Sequence, residues 1–154
     1  MTPLDLREPM GMFVYGCDRC QNVCPRNQPW LAQELPMNDK VAAKEDYFEL
    51  SRLLHMDKEY FETKIWLHMF YMSYQDIWRW KMNVARVMGN SRDEKYITDL
   101  ARAFEENPDE HFRGMTVWAI GNIGGPKAQT ALSGLSDQTS DLVKKEIRQA
   151  KDCC

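Results

Sequence analysis

Three cysteines near the N-terminus carry a spacing with chemical meaning: Cys17-Asp18-Arg19-Cys20-Gln21-Asn22-Val23-Cys24-Pro25, or Cys-x-x-Cys-x-x-x-Cys-Pro. Two thiolates on one tight turn can grip neighbouring irons of a cube, while a Cys-Pro thiolate just beyond them is turned away from it. The spacing is the tail of Cys-x-x-Cys-x-x-Cys-x-x-x-Cys-Pro, the run used where two [4Fe–4S] clusters share one segment and the last cysteine reaches the other cluster. The first cysteine of that run would fall at Val14. Cys17 and Cys20 are therefore candidate ligands of one cluster and Cys24 of a second, a partial set, since each cube takes four thiolates. Zinc is the alternative occupant, because Cys-x-x-Cys also opens many zinc sites. His55, His68 and His111 are far away in sequence and read as ordinary surface or core histidines. Cys153 and Cys154 can in principle supply further thiolates, but read as exposed thiols on a frayed end.

At 154 residues, with 44% apolar and 28% charged side chains, the chain can bury a core and has room for one ordinary domain or two small units. A net charge of −3 excludes a uniformly basic nucleic-acid binder and leaves only a local basic face for such a role. No stretch approaches the ~20 apolar residues of a membrane span. The first residues, Met1-Thr2-Pro3-Leu4-Asp5-Leu6-Arg7-Glu8, are too polar for a signal peptide. The sequence thus reads as cytoplasmic. Thiols stay reduced there, so closely spaced cysteines point to metal or redox chemistry, and an odd count of five fits that.

The elements that must position the cysteines fall into two textures. Pro3, Pro9, Pro25, Pro29 and Pro36, with Gly11 and Gly16, leave little room for a long helix in residues 1–40. Beyond Lys44 the pattern turns helical, and Asp57 is placed to cap a helix beginning Lys58-Glu59-Tyr60. Further on the chain repeats itself. The run from Trp80 to Gly89 aligns with that from Phe112 to Gly121 at an offset of 32, and Val143 to Ala150 begins a third copy. Between the copies, Ile97, Leu100, Ala101 and Phe104, then Ala128, Ala131, Leu132 and Leu135, are spaced as single buried stripes of helices. Gly89-Asn90 and Gly121-Asn122 read as stop signals after one helix. Asn107-Pro108-Asp109 and Asp137-Gln138-Thr139-Ser140-Asp141 read as turn and cap before the next. Stacked helix pairs make an α-solenoid, and with the ankyrin and tetratricopeptide signatures absent the pattern resembles short HEAT-like repeats. The expected fold is all-α: a HEAT-like α-solenoid over 41–154, preceded by an irregular half ferredoxin-like iron–sulfur segment over 1–40.

Leu6-Arg7-Glu8-Pro9-Met10-Gly11, then Tyr15-Gly16-Cys17-Asp18-Arg19-Cys20-Gln21-Asn22-Val23-Cys24-Pro25-Arg26-Asn27, then a HEAT-like tail with Asn83-Val84-Ala85 through Met88-Gly89-Asn90, resembles the C-terminal part of epoxyqueuosine reductases. The resemblance implies a parent oxidoreductase, dependent on iron–sulfur and cobalamin, that reduces the epoxide of epoxyqueuosine in tRNA. It implies that Cys17, Cys20 and Cys24 are [4Fe–4S] ligands, that cobalamin belongs to an N-terminal domain missing here, and that the HEAT-like part helps hold tRNA. On this view the chain is a truncated or excised portion, inactive by itself. Its alternative is a stand-alone HEAT-like interaction module with a zinc-filled or vestigial cysteine site.

Two further features bear on partners. Eleven of the 16 residues from Ile65 to Trp80 are apolar or aromatic, which favours core packing or docking against another domain over stacking on RNA bases. Lys81, Arg113 and Lys144 recur with the repeat and would form a ladder along one face. With Arg79, Arg86, Lys145 and Arg148 nearby, the ladder can contact phosphates. The competing role for these three is structural, pairing with the acidic residue of an adjacent turn.

Overall fold

The computed structural model describes residues 1–34, 36–136 and 140–153. Cys154 and the side chain of Cys153 lie outside the described residues, as do Asp137, Gln138 and Thr139 of the expected turn. All regular structure among the described residues is helical.

The N-terminal part forms only short turns of helix: α1 (Leu4–Arg7), α2 (Arg19–Asn22), α3 (Gln28–Leu31) and α4 (Asp39–Ala42). Each is one turn long, as the prolines and glycines demand. Next come α5 (Leu50–His55) and α6 (Lys58–Tyr60), the latter running on as a π-helical turn over Phe61–Ile65. The Asp57 carboxylate accepts from the Tyr60 amide at 2.8 Å, as its position before α6 predicts.

The repeats follow as α7 (Ile77–Ser91), α8 (Ile97–Glu106), α9 (Glu110–Ile123), α10 (Gly125–Gly134) and α11 (Asp141–Cys153). Helices α7, α9 and α11 pack side by side in one layer, and α8 and α10 cover α9 as a second layer. Their starts are capped where expected. Asp109 accepts from the Phe112 amide at 2.8 Å, and the Ser140 hydroxyl accepts from the Val143 amide at 3.3 Å while donating to Glu110 of α9 at 2.6 Å. The stripes close between the layers: Leu100, Phe104, Phe112, Met115, Ile120 and Leu132 are essentially without solvent contact.

The two glycines expected to stop helices lie inside them. Helix α7 continues past Gly89 and ends at Arg92, which adopts the left-handed conformation at φ 54°. Helix α9 continues past Gly121 and ends at Gly124, φ 72°. The repeat needs glycine for the approach of neighbouring helices. A Cβ on Gly89 would lie 2.8 Å from the Ala119 Cα, and one on Gly121 would lie 2.7 Å from the Ala150 Cβ. Each Gly of one helix therefore faces an Ala of the next.

This contact decides the outcome of Gly89→Ala. Helix propensity favours alanine by about 1 kcal/mol, but the new methyl meets backbone that cannot rotate away, and overpacking costs about 1–3 kcal/mol. The expected net result is destabilisation, seen as a lower urea midpoint with an unchanged slope; a raised midpoint would contradict the close-approach role.

Candidate iron–sulfur ligand site and its anchor

Cys20 lies within α2, Cys17 precedes it, and Cys24 follows it. The local fold is made by amides. The Asn27 side chain donates to the carbonyl and side-chain oxygens of Gln21 at 3.2 and 2.7 Å, and Gln28 donates to the Asn22 carbonyl at 2.6 Å, closing α2 against α3. All three thiols are free, Cys17 and Cys20 exposed and Cys24 half-buried. Cys17 borders an open cleft of about 580 Å³ that is also lined by Phe13, Tyr15, Arg19 and Asn83 of α7. Arg19, between the first two cysteines, folds back to donate to the Pro9 carbonyl at 3.0 Å and lies over the Phe13 ring.

The donor chemistry and the exposure of Cys17 and Cys20 fit part of a cluster ligand set open to a partner. Among the described residues, no three His, Cys, Asp or Glu side chains gather as a metal-holding group.

The segment leading to the cysteines is built into the repeat core. Arg86 of α7 is fully buried. Its guanidinium donates to the carbonyls of Gly11 at 2.7 Å and Phe13 at 2.5 Å. One turn on, Asn90 donates to the carbonyls of Arg7 and Gly11, both at 2.9 Å. Arg7 is itself buried and makes a two-pronged ion pair with Glu146 of α11 at 2.9 and 2.7 Å. It also donates to the Thr2 carbonyl and lies over the Trp118 ring of α9. The arm from Thr2 to Phe13 thus crosses α7, α9 and α11, and the cysteine turn follows directly from it.

Arg86 corrects an expectation, since it cannot serve as a phosphate contact while its charge is sealed under the arm. The sequence held one signal of this, a lone charge amid Val84, Ala85, Val87 and Met88, all buried. Arg7 and Glu146 carried no such signal, because only the fold brings residues 139 positions apart together.

Lys81, Arg113 and Lys144 are each half-buried. Burial pushes the Lys81 ammonium down from the usual lysine range, against the pull of Glu106 and Asp57. Arg113 lies 4.0 Å over the Phe104 ring. Lys144 reaches Asp141 at 3.3 Å. Lys145 and Arg148 are exposed on α11, and Arg79 reaches Asp76 at 3.5 Å. Of the histidines, His55 faces Glu106 at 2.9 Å, His68 packs on Phe48, and His111 is half-buried.

The aromatic segment divides. Ile65, Ile77 and Trp80 are buried, whereas Trp66, Leu67, Phe70, Tyr71 and Tyr74 are exposed. Tyr71 meets Tyr15 of the arm with ring centroids 5.5 Å apart.

With this geometry in hand, comparison with known proteins is direct. Residues 78–150 match the family model of HEAT repeats. Epoxyqueuosine reductase of Bacillus subtilis is 27% identical over 155 residues, which takes in 96% of this chain and 38% of the relative. That of Escherichia coli is 31% identical over 129 residues, 77% of this chain and 30% of the relative. The chain is similar in sequence to epoxyqueuosine reductases over most of its own length. It spans well under half the length of those relatives, and resemblance to their C-terminal part fits these matches. The fold agrees: solved epoxyqueuosine reductases superpose over 98% of this chain, one from Bacillus subtilis with a TM-score of 0.75 and one with an epoxyqueuosine-modified tRNA-Tyr stem loop with 0.69, at 24% and 23% identity. An uncharacterized protein of Geobacillus stearothermophilus is also similar, at 28% identity over 94% of this chain and 66% of its own length.

The Arg7 anchor makes a sharp prediction. Glu146→Ala leaves the Arg7 charge buried without its carboxylate and is expected to cost about 3–5 kcal/mol, whereas the R7M/E146M double variant should fall near the wild type. Urea titration of the three proteins checks it; equal losses in the single and double variants would refute the ion-pair account.

Proposed function

We propose that this chain is the C-terminal portion of an epoxyqueuosine reductase-like oxidoreductase, in which residues 1–40 contribute cluster thiolates and residues 41–154 hold them in place and offer a surface to tRNA. The observation that carries this is the Cys17, Cys20 and Cys24 turn, free of disulfides and strapped by its arm to a HEAT-like core. Cys17 and Cys20 would hold one [4Fe–4S] cluster and Cys24 a second, and a cluster of this kind supplies single-electron transfer. The arm fixes where those thiols stand relative to α7, so electrons would pass at a set distance from the surface that holds substrate. Cobalamin would belong to the remaining portion of the parent, as would the acid that protonates the opening epoxide. The parent's reaction would be reduction of epoxyqueuosine in tRNA, and this chain by itself would not turn over.

Anaerobic reconstitution with iron and sulfide tests the ligand role. The isolated chain should take up less than two full clusters, and Cys17→Ser or Cys20→Ser should abolish what it holds. Preferential retention of stoichiometric zinc by the same cysteines would favour the stand-alone interaction module instead.

The tRNA surface is tested separately. If Lys81, Arg113 and Lys144 contact phosphates, reversing all three to Glu should weaken binding of a tRNA anticodon stem loop at low salt by about tenfold or more and flatten its salt dependence. Unchanged affinity would assign the three to packing alone.

A further inference from the structure

Arg7, Arg79, Arg92 and Arg102 each meet a carboxylate, on Glu146, Asp76, Glu8 and Asp99. Arg19, between Cys17 and Cys20, is held differently. Its guanidinium donates to the Pro9 carbonyl at 3.0 Å and lies 5.8 Å from the centroid of the Phe13 ring, and among the described residues no carboxylate pairs with it. A carbonyl and a ring face fix a cation without cancelling its charge. The clamp is itself fixed, because the Phe13 carbonyl accepts from buried Arg86 of α7.

The charge is held beside a thiol. Arg19 and Cys17 line the same open cleft of about 580 Å³, whose walls also include Leu6, Met10 and Phe13 and, from α7, half-buried Asn83. Asp18 carries the opposite charge in the same turn, but it is exposed and does not line the cleft. Apolar walls reduce dielectric screening on one side, so a unit charge acts further here than on open surface.

We infer that Arg19 tunes the reduction potential of the cluster held by Cys17 and Cys20, raising it through a positive charge that the arm keeps in place. This rests on the ligand role proposed above and adds to it a residue that is not itself a ligand. The sign follows from charge. A cube bound by thiolates is anionic and becomes more negative when it accepts an electron, so a neighbouring cation stabilises the reduced form more than the oxidised one. Net charge around a cluster is among the factors that place its potential. With Arg19 in place the cluster takes an electron from a donor more readily and gives it up less readily.

The test uses the full chain carrying Cys24→Ser, so that the cluster measured is the one on Cys17 and Cys20. It is reconstituted anaerobically with iron and sulfide, with excess 2-mercaptoethanol to supply the thiolates the chain lacks, and titrated with dithionite while absorbance and electron paramagnetic resonance report the potential. With Arg19→Gln the ratio of reduced to oxidised cluster at a fixed solution potential should fall about threefold or more at low salt, and the difference should shrink as salt is raised. Arg19→Lys keeps the charge and should stay near the parent value. Asn83→Asp places an anion on the α7 wall of the cleft with the Arg19 clamp intact and should also lower the potential, which keeps the test decisive if Arg19→Gln does not load. An unmoved potential in Arg19→Gln or Asn83→Asp, or a fall in Arg19→Lys as large as in Arg19→Gln, overturns the tuning role and leaves the ligand role standing. If the Cys24→Ser chain with Arg19 and Asn83 unaltered takes up no cluster, the ligand role falls and the tuning role with it.

Discussion

A buried guanidinium governs this molecule. Arg86 sits in the middle of α7 with no solvent contact, and such a charge is tolerable only where hydrogen-bond acceptors surround it. Its acceptors are two backbone carbonyls of the arm, at Gly11 and Phe13. Detaching the arm would strand the charge, so the arm behaves as part of the core despite having almost no regular structure. The Arg7 ion pair to Glu146 repeats the arrangement across the sheet of helices, with the charge donated in the opposite direction, from arm to repeat. Two buried arginines, one on each partner, thus couple the cysteine turn to the solenoid.

The repeat geometry explains why the arm fits there. Asn122 in α9 donates to the Gly89 carbonyl of α7 at 3.1 Å, linking one repeat to the one before it. Asn90 holds the matching place in α7, where no earlier repeat helix stands, and its side chain donates instead to the Arg7 and Gly11 carbonyls. At this one point the arm supplies the acceptor carbonyls that Gly89 supplies to Asn122. The polar Gly-Asn pair serves both purposes, with glycine admitting the next helix and asparagine binding whatever lies on the other side.

Surface character follows the same division. The stacked helices hide their apolar stripes between two layers; Arg113 lies on the Phe104 ring and Lys144 reaches Asp141, while Lys145 and Arg148 stay exposed. The cysteine-bearing half keeps Val23, Trp30, Leu31, Phe70 and Tyr71 in solvent.

Much of this was legible in the residues themselves. Hydrophobic spacing at Ile97, Leu100 and Phe104 and the offset of 32 between Gly89 and Gly121 reveal helix pairs, because burial of one stripe imposes a period that survives in the chain. Caps at Asp57 and Asp109 are equally local, each needing only its own next turn. The cysteine spacing is likewise local and is read without any fold. Where the effect is non-local the residues mislead: Gly89 and Gly121 look like helix stops until Ala119 and Ala150 are seen pressed against them. Arg86 looks like a surface cation until the arm is found lying over it. The sequence by itself determined the helical period, the caps and the thiol spacing, since each is set by interactions within a few residues. Only the tertiary structure decided that the arm packs across α7, α9 and α11 and that Arg7 finds Glu146, because those pairings depend on burial and on chain segments that sequence distance keeps apart.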